Sequence, residues 1–201
     1  MKKVPLSFYQ RKNVVQIARE LLGKIVVTRF AGNITSGRIV ETEAYVAITD
    51  KASHSFGGRR TPRNEHMYSP AGTAYVYVCY GLHQMLNIVT NEKEIPDAVL
   101  IRGIEPLEGI KAMAARTGKN ESDASITRGP GNVGKALGIF KHHSGLFLLD
   151  DEIYLLDDNI RFSDNQVGVS KRIGVESAGP DSLLPYRFYV KGNRYVSGRN
   201  I

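Results

Sequence analysis

The chain of 201 residues is predicted to fold as a mixed α/β (α+β) protein, a single domain around a curved, largely antiparallel β-sheet with flanking helices. Three observations predict it. Runs rich in Val, Ile, Thr and Tyr outnumber helical runs, they arrive in meander-like succession, and no Pro/Ser/Gly-rich linker or shift in composition divides the chain. A chain of this length can bury one substantial core, so residues 1–201 read as one domain.

Each element has its own signal. From Val14 to Leu22 the apolar residues Val14, Ile17, Ala18, Leu21 and Leu22 fall at helical spacing, and Gly23 ends the run. Lys24 to Phe30 is β-branched and reads as a strand, followed by a turn at Asn33. Arg38 to Tyr45 is a second strand whose alternation puts Glu41, Glu43 and Tyr45 on one face and Val40, Thr42 and Ala44 on the other. Ala74 to Tyr80 is a third, stopped by Gly81, and Ala98 to Ile101 is a fourth that delivers Arg102 at its end. Pro106 to Arg116 is predicted as a helix, with an acid near its start and a base near its end, as the macrodipole prefers. Short strands are expected near Leu146 to Leu149 and Tyr186 to Val190.

Charge and cysteine content narrow the function classes. Lys and Arg outnumber Asp and Glu, 27 to 20, and the excess favours a polyanionic partner. Asp150, Asp151, Glu152, Asp157 and Asp158 crowd together, which leaves the remainder more basic than the total suggests. Cys79 is the only cysteine, so an internal disulfide and a multi-thiolate metal site are both excluded, and a reducing, intracellular home fits. The amino terminus lacks a sustained apolar segment and no stretch is long enough to span a bilayer, which argues against secretion and membrane insertion.

Several motifs invite functional readings that their surroundings weaken. Gly129 to Lys135 satisfies G-x-G-x-x-G and the first seven positions of a P-loop, but Ala136 stands where a magnesium-binding hydroxyl belongs and no apolar strand precedes it. A Gly-rich turn opening a helix at Lys135-Ala136-Leu137 could still offer backbone N–H groups to a phosphate. The adjacent His142 and His143 cannot face one metal from a regular element, and His54, His66 and His83 lack ligand spacing, so no metal or cofactor is expected. No G-x-S-x-G elbow is present.

The segment from Arg38 to Arg102 is the most informative. Acids on the polar face of a strand are usually solvated, and tyrosines usually fill cores. Here Tyr45, Tyr75, Tyr77 and Tyr80 account for 4 of the 10 tyrosines and stand beside acids, a combination suited to a flat, partly polar ligand. A carboxylate of this stretch with a nearby arginine adds the means to activate water.

These blocks resemble a known family. Glu41-Thr42-Glu43-Ala44-Tyr45, Asp50 through Asn64, Gly72 through Gly81, Asn87, and Leu100 through Gly109 together resemble the alkyladenine (3-methyladenine) DNA glycosylases, and the likeness continues through Gly129-Pro130-Gly131, Arg172-Ile173-Gly174-Val175 and Arg187-Phe188-Tyr189-Val190. The resemblance implies one α/β domain around a curved antiparallel sheet, a cofactor-free, monofunctional, monomeric enzyme of base-excision repair, and damaged double-stranded DNA as its partner. It implies an intracellular location, cytoplasmic in a bacterium and nuclear in a eukaryote. Its substrates would be alkylated or deaminated purines: 3-methyladenine, 7-methylguanine, hypoxanthine and ethenoadenine.

The resemblance also implies residue roles. Glu43 would be the general base and Arg102 would hold the attacking water and keep Glu43 ionised, with the Ile173 carbonyl as a further water ligand. Tyr45 on one side and His54 with Tyr77 on the other would sandwich the flipped purine, and Asn87 would stand where guanine's exocyclic amine intrudes. Tyr80 would wedge into the minor groove with Leu82 and His83 against the backbone, and Arg59, Thr61 and Lys135 would complete the DNA contacts. Glu41 is implied to be structural only. The chain departs from the family at Val46-Ala47-Ile48, where Gly-Pro is usual after the tyrosine, and at Asn132, where many relatives carry lysine. A non-catalytic DNA-binding module and a nucleotide-dependent enzyme using Gly129 to Lys135 are the alternatives.

Overall fold

The computed structural model describes residues 1–198; residues 199–201, the end of the expected domain, lie outside the described residues. In chain order the elements are β1 (Lys2–Lys3), α1 (Leu6–Tyr9), α2 (Val14–Glu20), β2 (Ile25–Phe30), β3 (Asn33–Tyr45), β4 (Ala74–Cys79), β5 (His83–Thr90), β6 (Asp97–Glu108), α3 (Ile110–Thr117), α4 (Pro130–Leu137), β7 (Ile153–Asp157), β8 (Val167–Ser170) and β9 (Arg187–Val190). Short 3-10 turns connect several of them. All nine strands belong to one sheet in the order β1-β7-β2-β3-β6-β5-β4, with β9 added to β3 and β8 to β9, and every pairing is antiparallel. The α+β expectation therefore holds.

Strand β3 is the spine. Of its 13 residues, the stretch from Ser36 to Tyr45 pairs with β6 along one side, while the other side is shared between β2, opposite Asn33 to Arg38, and β9, opposite Glu41 to Glu43. Alternation then sorts the side chains of the central strands. Val40, Ala44, Ala74, Val76, Leu86, Ile88, Val99 and Ile101 point into the main core, where they meet Val14, Ile17, Ala18 and Leu21 of the α2 region and Val133 and Leu137 of α4. Each large aliphatic buried here contributes about 1.5–3 kcal/mol. Thr42 shares this face, its hydroxyl donating to the Ala18 carbonyl at 2.8 Å. The opposite face of the same strands carries Glu41, Glu43, Tyr45, Tyr75, Tyr77, Asn87 and Arg102.

Three local expectations are corrected. The helix predicted over Pro106 to Arg116 begins only at Ile110, because Pro106 and Glu108 still pair with Gly37 and Ser36 of β3 across a register shift. Gly109 makes the switch: its φ is 73°, and a Cβ there would stand 2.2 Å from the Ile34 carbonyl oxygen. Leu146 to Leu149 is not a strand but a turn-rich segment with a single bridge, Phe147 to Thr73. Gly129 to Lys135 is not a turn before a helix but most of α4 itself, capped by Gly129 with Pro130 in the first turn. Gly134 lets α4 lie against β5, since a Cβ there would sit 2.0 Å from the Gln84 carbonyl oxygen. That glycine serves packing, which removes the nucleotide-cradle reading of this segment.

Strands β5, β7 and β8 were not anticipated. His83-Gln84-Met85-Leu86-Asn87 carries no β-branched residue, and Ile153–Asp157 is flanked by the acidic cluster. The acids of that cluster pair locally: Asp157 with Lys24 and Arg161, Asp158 with Arg38, and Asp151 with Lys3. Among the described residues no helix is long and apolar enough to cross a membrane.

Candidate active site

The polar face of β3 to β6 forms the floor of a cavity of about 560 Å³, walled by the loop after β3 and by the segment around Ile173. Tyr45, His54, Tyr77, Asn87, Arg102, Ile173, Arg59, Thr61 and Tyr80 all line it, so nine of the residues singled out from the sequence converge on one space. Lys135 does not; it lies exposed on α4, with its amine 3.5 Å from the Thr117 carbonyl oxygen. Leu82 and His83 sit beside the cavity at the β4–β5 hairpin, and His83 packs on Gly131 at the start of α4.

Glu43 is wholly buried and does not itself line the cavity: it lies directly behind Tyr45, Arg102 and Ile173, which do, and its burial excludes the solvated-acid reading for it and for Glu41. Its Oε1 accepts a hydrogen bond from the Ile173 backbone N–H at 2.8 Å and stands 3.4 Å from Arg102 Nη1; its Oε2 accepts from the Tyr45 hydroxyl at 2.9 Å. Burial raises the Glu43 carboxyl above its ordinary range, and the Arg102 charge, the Ile173 N–H and the Tyr45 hydroxyl only partly oppose this. Arg102 thus moderates the effect of burial without reversing it. The Arg102 guanidinium is itself disfavoured by burial, yet the two neighbouring carboxylates more than restore it as a cation.

The aromatic walls are fixed from behind. The imidazole of His54 meets Tyr77 edge-on, with ring centres 4.5 Å apart, and its Nδ1 lies 2.8 Å from the Tyr75 hydroxyl. Burial, with Arg63 and Arg59 nearby, depresses the His54 pKa to about 4, so the ring is neutral at physiological pH. The Asn87 amide nitrogen donates to the Tyr75 and Met85 carbonyls at 3.2 and 3.3 Å, which holds that side chain in place at the cavity floor.

Tyr80 crowns the β4–β5 hairpin. Cys79 and His83 pair, Leu82 N–H donates to the Cys79 carbonyl at 3.1 Å, and Tyr80 and Gly81 take φ values of 49° and 70°, the double left-handed geometry of a tight hairpin turn. Such a φ is uncommon for a bulky residue. Tyr80 is 88% exposed and Leu82 78%, so two large apolar side chains project from a sharp tip at the mouth of the cavity.

Sequence reasoning missed four residues that organise this site: Asp50, Arg172, Arg187 and Ser197. Arg172 pairs with Asp50 through both Nη atoms and donates to the Ala44 carbonyl at 2.9 Å. Asp50 in turn accepts from the backbone of Val46 and Ala52, so this pair ties down the loop in which Val46-Ala47-Ile48 replaces the family's Gly-Pro. Arg187 and Ser197 both bind Glu41. The available signal was charge inside a β-rich stretch, as in Arg187-Phe188-Tyr189-Val190. No group of three or more His, Cys, Asp or Glu side chains among the described residues is placed to hold a metal ion.

The chain is similar to known proteins over nearly its whole length. A family model described as methylpurine-DNA glycosylase matches residues 7–194. A Clostridium perfringens (strain 13 / Type A) protein bearing the provisional name 3-methyladenine DNA glycosylase is 42% identical over 95% of this chain and 97% of its own. A Clostridium acetobutylicum protein of the same name is 41% identical, with 97% of each chain covered, and one from Bacillus subtilis (strain 168) is 40% identical, with 96% of each covered.

Proposed function

The chain belongs to the methylpurine-DNA glycosylase family, and from that premise we propose that it excises alkylated or deaminated purines from double-stranded DNA, hydrolysing the N-glycosidic bond with water and leaving an abasic site. Its substrates on this reading are 3-methyladenine, 7-methylguanine, hypoxanthine and ethenoadenine. A base stacked in the duplex hides its glycosidic bond, so the nucleotide must be flipped out, at a cost of roughly a few kcal/mol that is smaller where the lesion weakens pairing. Tyr80, exposed at the hairpin tip, fills the space left behind, with Leu82 and His83 against the backbone. Arg59 and Thr61, at the cavity mouth, address the strand that carries the lesion.

The extruded purine enters between Tyr45 and the pair His54 and Tyr77. Stacking on aromatic faces stabilises it by about 1–3 kcal/mol, and a positively charged alkylated base gains about 0.5–2 kcal/mol more. The neutral His54 adds no repelling charge. Glu43 takes a proton from a water directed at C1′ as the bond to the base lengthens, while Arg102 and the Ile173 main chain help to hold that water. The observation that carries this reading is the buried carboxylate of Glu43, bound to Ile173 N–H and Tyr45 and facing Arg102, immediately behind those three residues where they line an aromatic cavity.

The amide of Glu43→Gln keeps the size of the carboxylate but not its basicity. We expect it to abolish base release while affinity for lesion DNA stays within about tenfold of wild type. Substantial residual excision would move the base role elsewhere. The reaction on this reading needs no metal and forms no covalent adduct; Lys51, the one lysine of the lining, is exposed at the rim. Inhibition by chelator, or borohydride trapping of a protein–DNA adduct, would contradict it.

A further inference from the structure

Glu41 precedes Glu43 by two residues on the same face of β3 and is wholly buried. Its Oε1 accepts from Arg102 Nε at 3.1 Å, Arg187 Nε at 2.7 Å and Ser197 Oγ at 2.9 Å, and its Oε2 accepts from the Ser197 backbone N–H at 2.7 Å. Arg102 Nη2 donates to the same Ser197 hydroxyl at 3.2 Å. Two of the three guanidinium nitrogens of Arg102 are therefore held away from Glu43. The third, Nη1, stops 3.4 Å from Glu43 Oε1, longer than the roughly 2.7–2.9 Å of a strong charge-assisted hydrogen bond.

A guanidinium left with Glu43 alone would close on it in a bidentate pair, and the two groups would saturate each other. We propose that Glu41 is a positioning residue for excision: together with Arg187 and Ser197 it draws Arg102 back, so that Glu43 and Arg102 Nη1 share a water between them instead of binding one another. Arg187 supplies the second positive charge that allows Glu41 to hold Arg102 without being left over-committed to it. This inference rests on the assignment of Glu43 as the base.

The other groups that face Glu43 do not account for the same effect. Tyr45 and Tyr77 are phenols that burial keeps neutral. Arg172 is answered by its own partner Asp50. Replacing Glu41 by its amide removes a negative neighbour of Glu43 and also releases Arg102 toward it, and both changes make the Glu43 carboxyl more acidic. The base then becomes weaker and its water is displaced.

The test is single-turnover excision of 7-methylguanine, whose fixed positive charge keeps base protonation out of the pH profile, by wild type, Glu41→Gln, Ser197→Ala and Glu43→Gln. Affinity is read in parallel on a duplex whose 2′-fluoro lesion nucleotide resists hydrolysis. Glu41→Gln should lose roughly tenfold in rate at neutral pH, move the acidic break of the profile to lower pH, and keep affinity within about threefold. Ser197→Ala, at a half-exposed position, should slow excision in the same sense but less. An unmoved break in a Glu41→Gln protein with wild-type melting overturns the proposal, and if that variant does not fold, a wild-type rate in Ser197→Ala does so. Retention of rate and acidic break by Glu43→Gln would instead overturn the assignment of the base itself, and the positioning role with it.

Discussion

The guanidinium carbon of Arg172 stands 4.8 Å from the centre of the Tyr45 ring, while the same guanidinium is locked to Asp50. The pair is almost fully buried, so each charge depends on the other. Removing one partner of a buried pair typically costs about 3–5 kcal/mol, because the remaining charge is left without solvent or counter-ion. Asp50→Ala should lower unfolding stability by about that amount in urea titration, at an unchanged slope; a loss below about 1 kcal/mol would show that the loop is held by other means.

Tyr80 is held in a left-handed backbone conformation at the very tip of its hairpin, with nothing packed over it. If the ring acts on the flipping equilibrium, Tyr80→Ser should slow single-turnover excision strongly from a well-paired lesion and only weakly from a lesion in single-stranded DNA, where no helix must be opened. Equal slowing on both substrates would place Tyr80 in the pocket chemistry instead.

Asn87 is pinned by two carbonyls of its own hairpin, so it cannot swing aside for a larger base. Guanine carries an exocyclic amine that hypoxanthine lacks. An amine crowded into a closed pocket without a partner costs about 1–3 kcal/mol, and Asn87→Ser should accordingly raise release of undamaged guanine by roughly one to two orders of magnitude while hypoxanthine excision changes much less. A parallel response of the two bases would reduce Asn87 to a structural member of β5.

If Glu43 is the base, as proposed, excision should also follow its ionisation. Burial lifts its carboxyl, and only the ionised form accepts a proton, so activity on a permanently cationic lesion should be low in acid and rise with pH through a break above 4.5, the value of an exposed glutamate. His54, depressed to about 4, should add no break near 6.5. A profile dominated by a histidine-like transition at that pH would count against both assignments.

The sequence carried the floor of this site better than its supports. Glu41, Glu43 and Tyr45 were legible together because strand alternation is strictly local, and Val40, Thr42 and Ala44 indeed turn to the helices. That the two acids are buried was not legible, since their partners Ile173, Arg187 and Ser197 lie 130 to 156 residues further along the chain. Strand β5 escaped for a related reason: its unpromising first half is held extended by pairing with β4, and α4 can cover it only because Gly134 lacks a side chain. Pro106 to Glu108 misled in the opposite sense, where pairing with β3 overrode a plausible helical start.

The long central strand β3 has β6 along one side and β9 along the other at Glu41 to Glu43. A carboxylate mounted there shares the rigidity of the whole sheet and cannot lean toward a poorly placed substrate. On the function proposed above, the compliance needed for the reaction comes from the nucleic acid, whose backbone can rotate a nucleotide outward while the protein frame stays still. Damage that loosens the double helix would then be sensed mechanically, before any atom of the altered base is inspected.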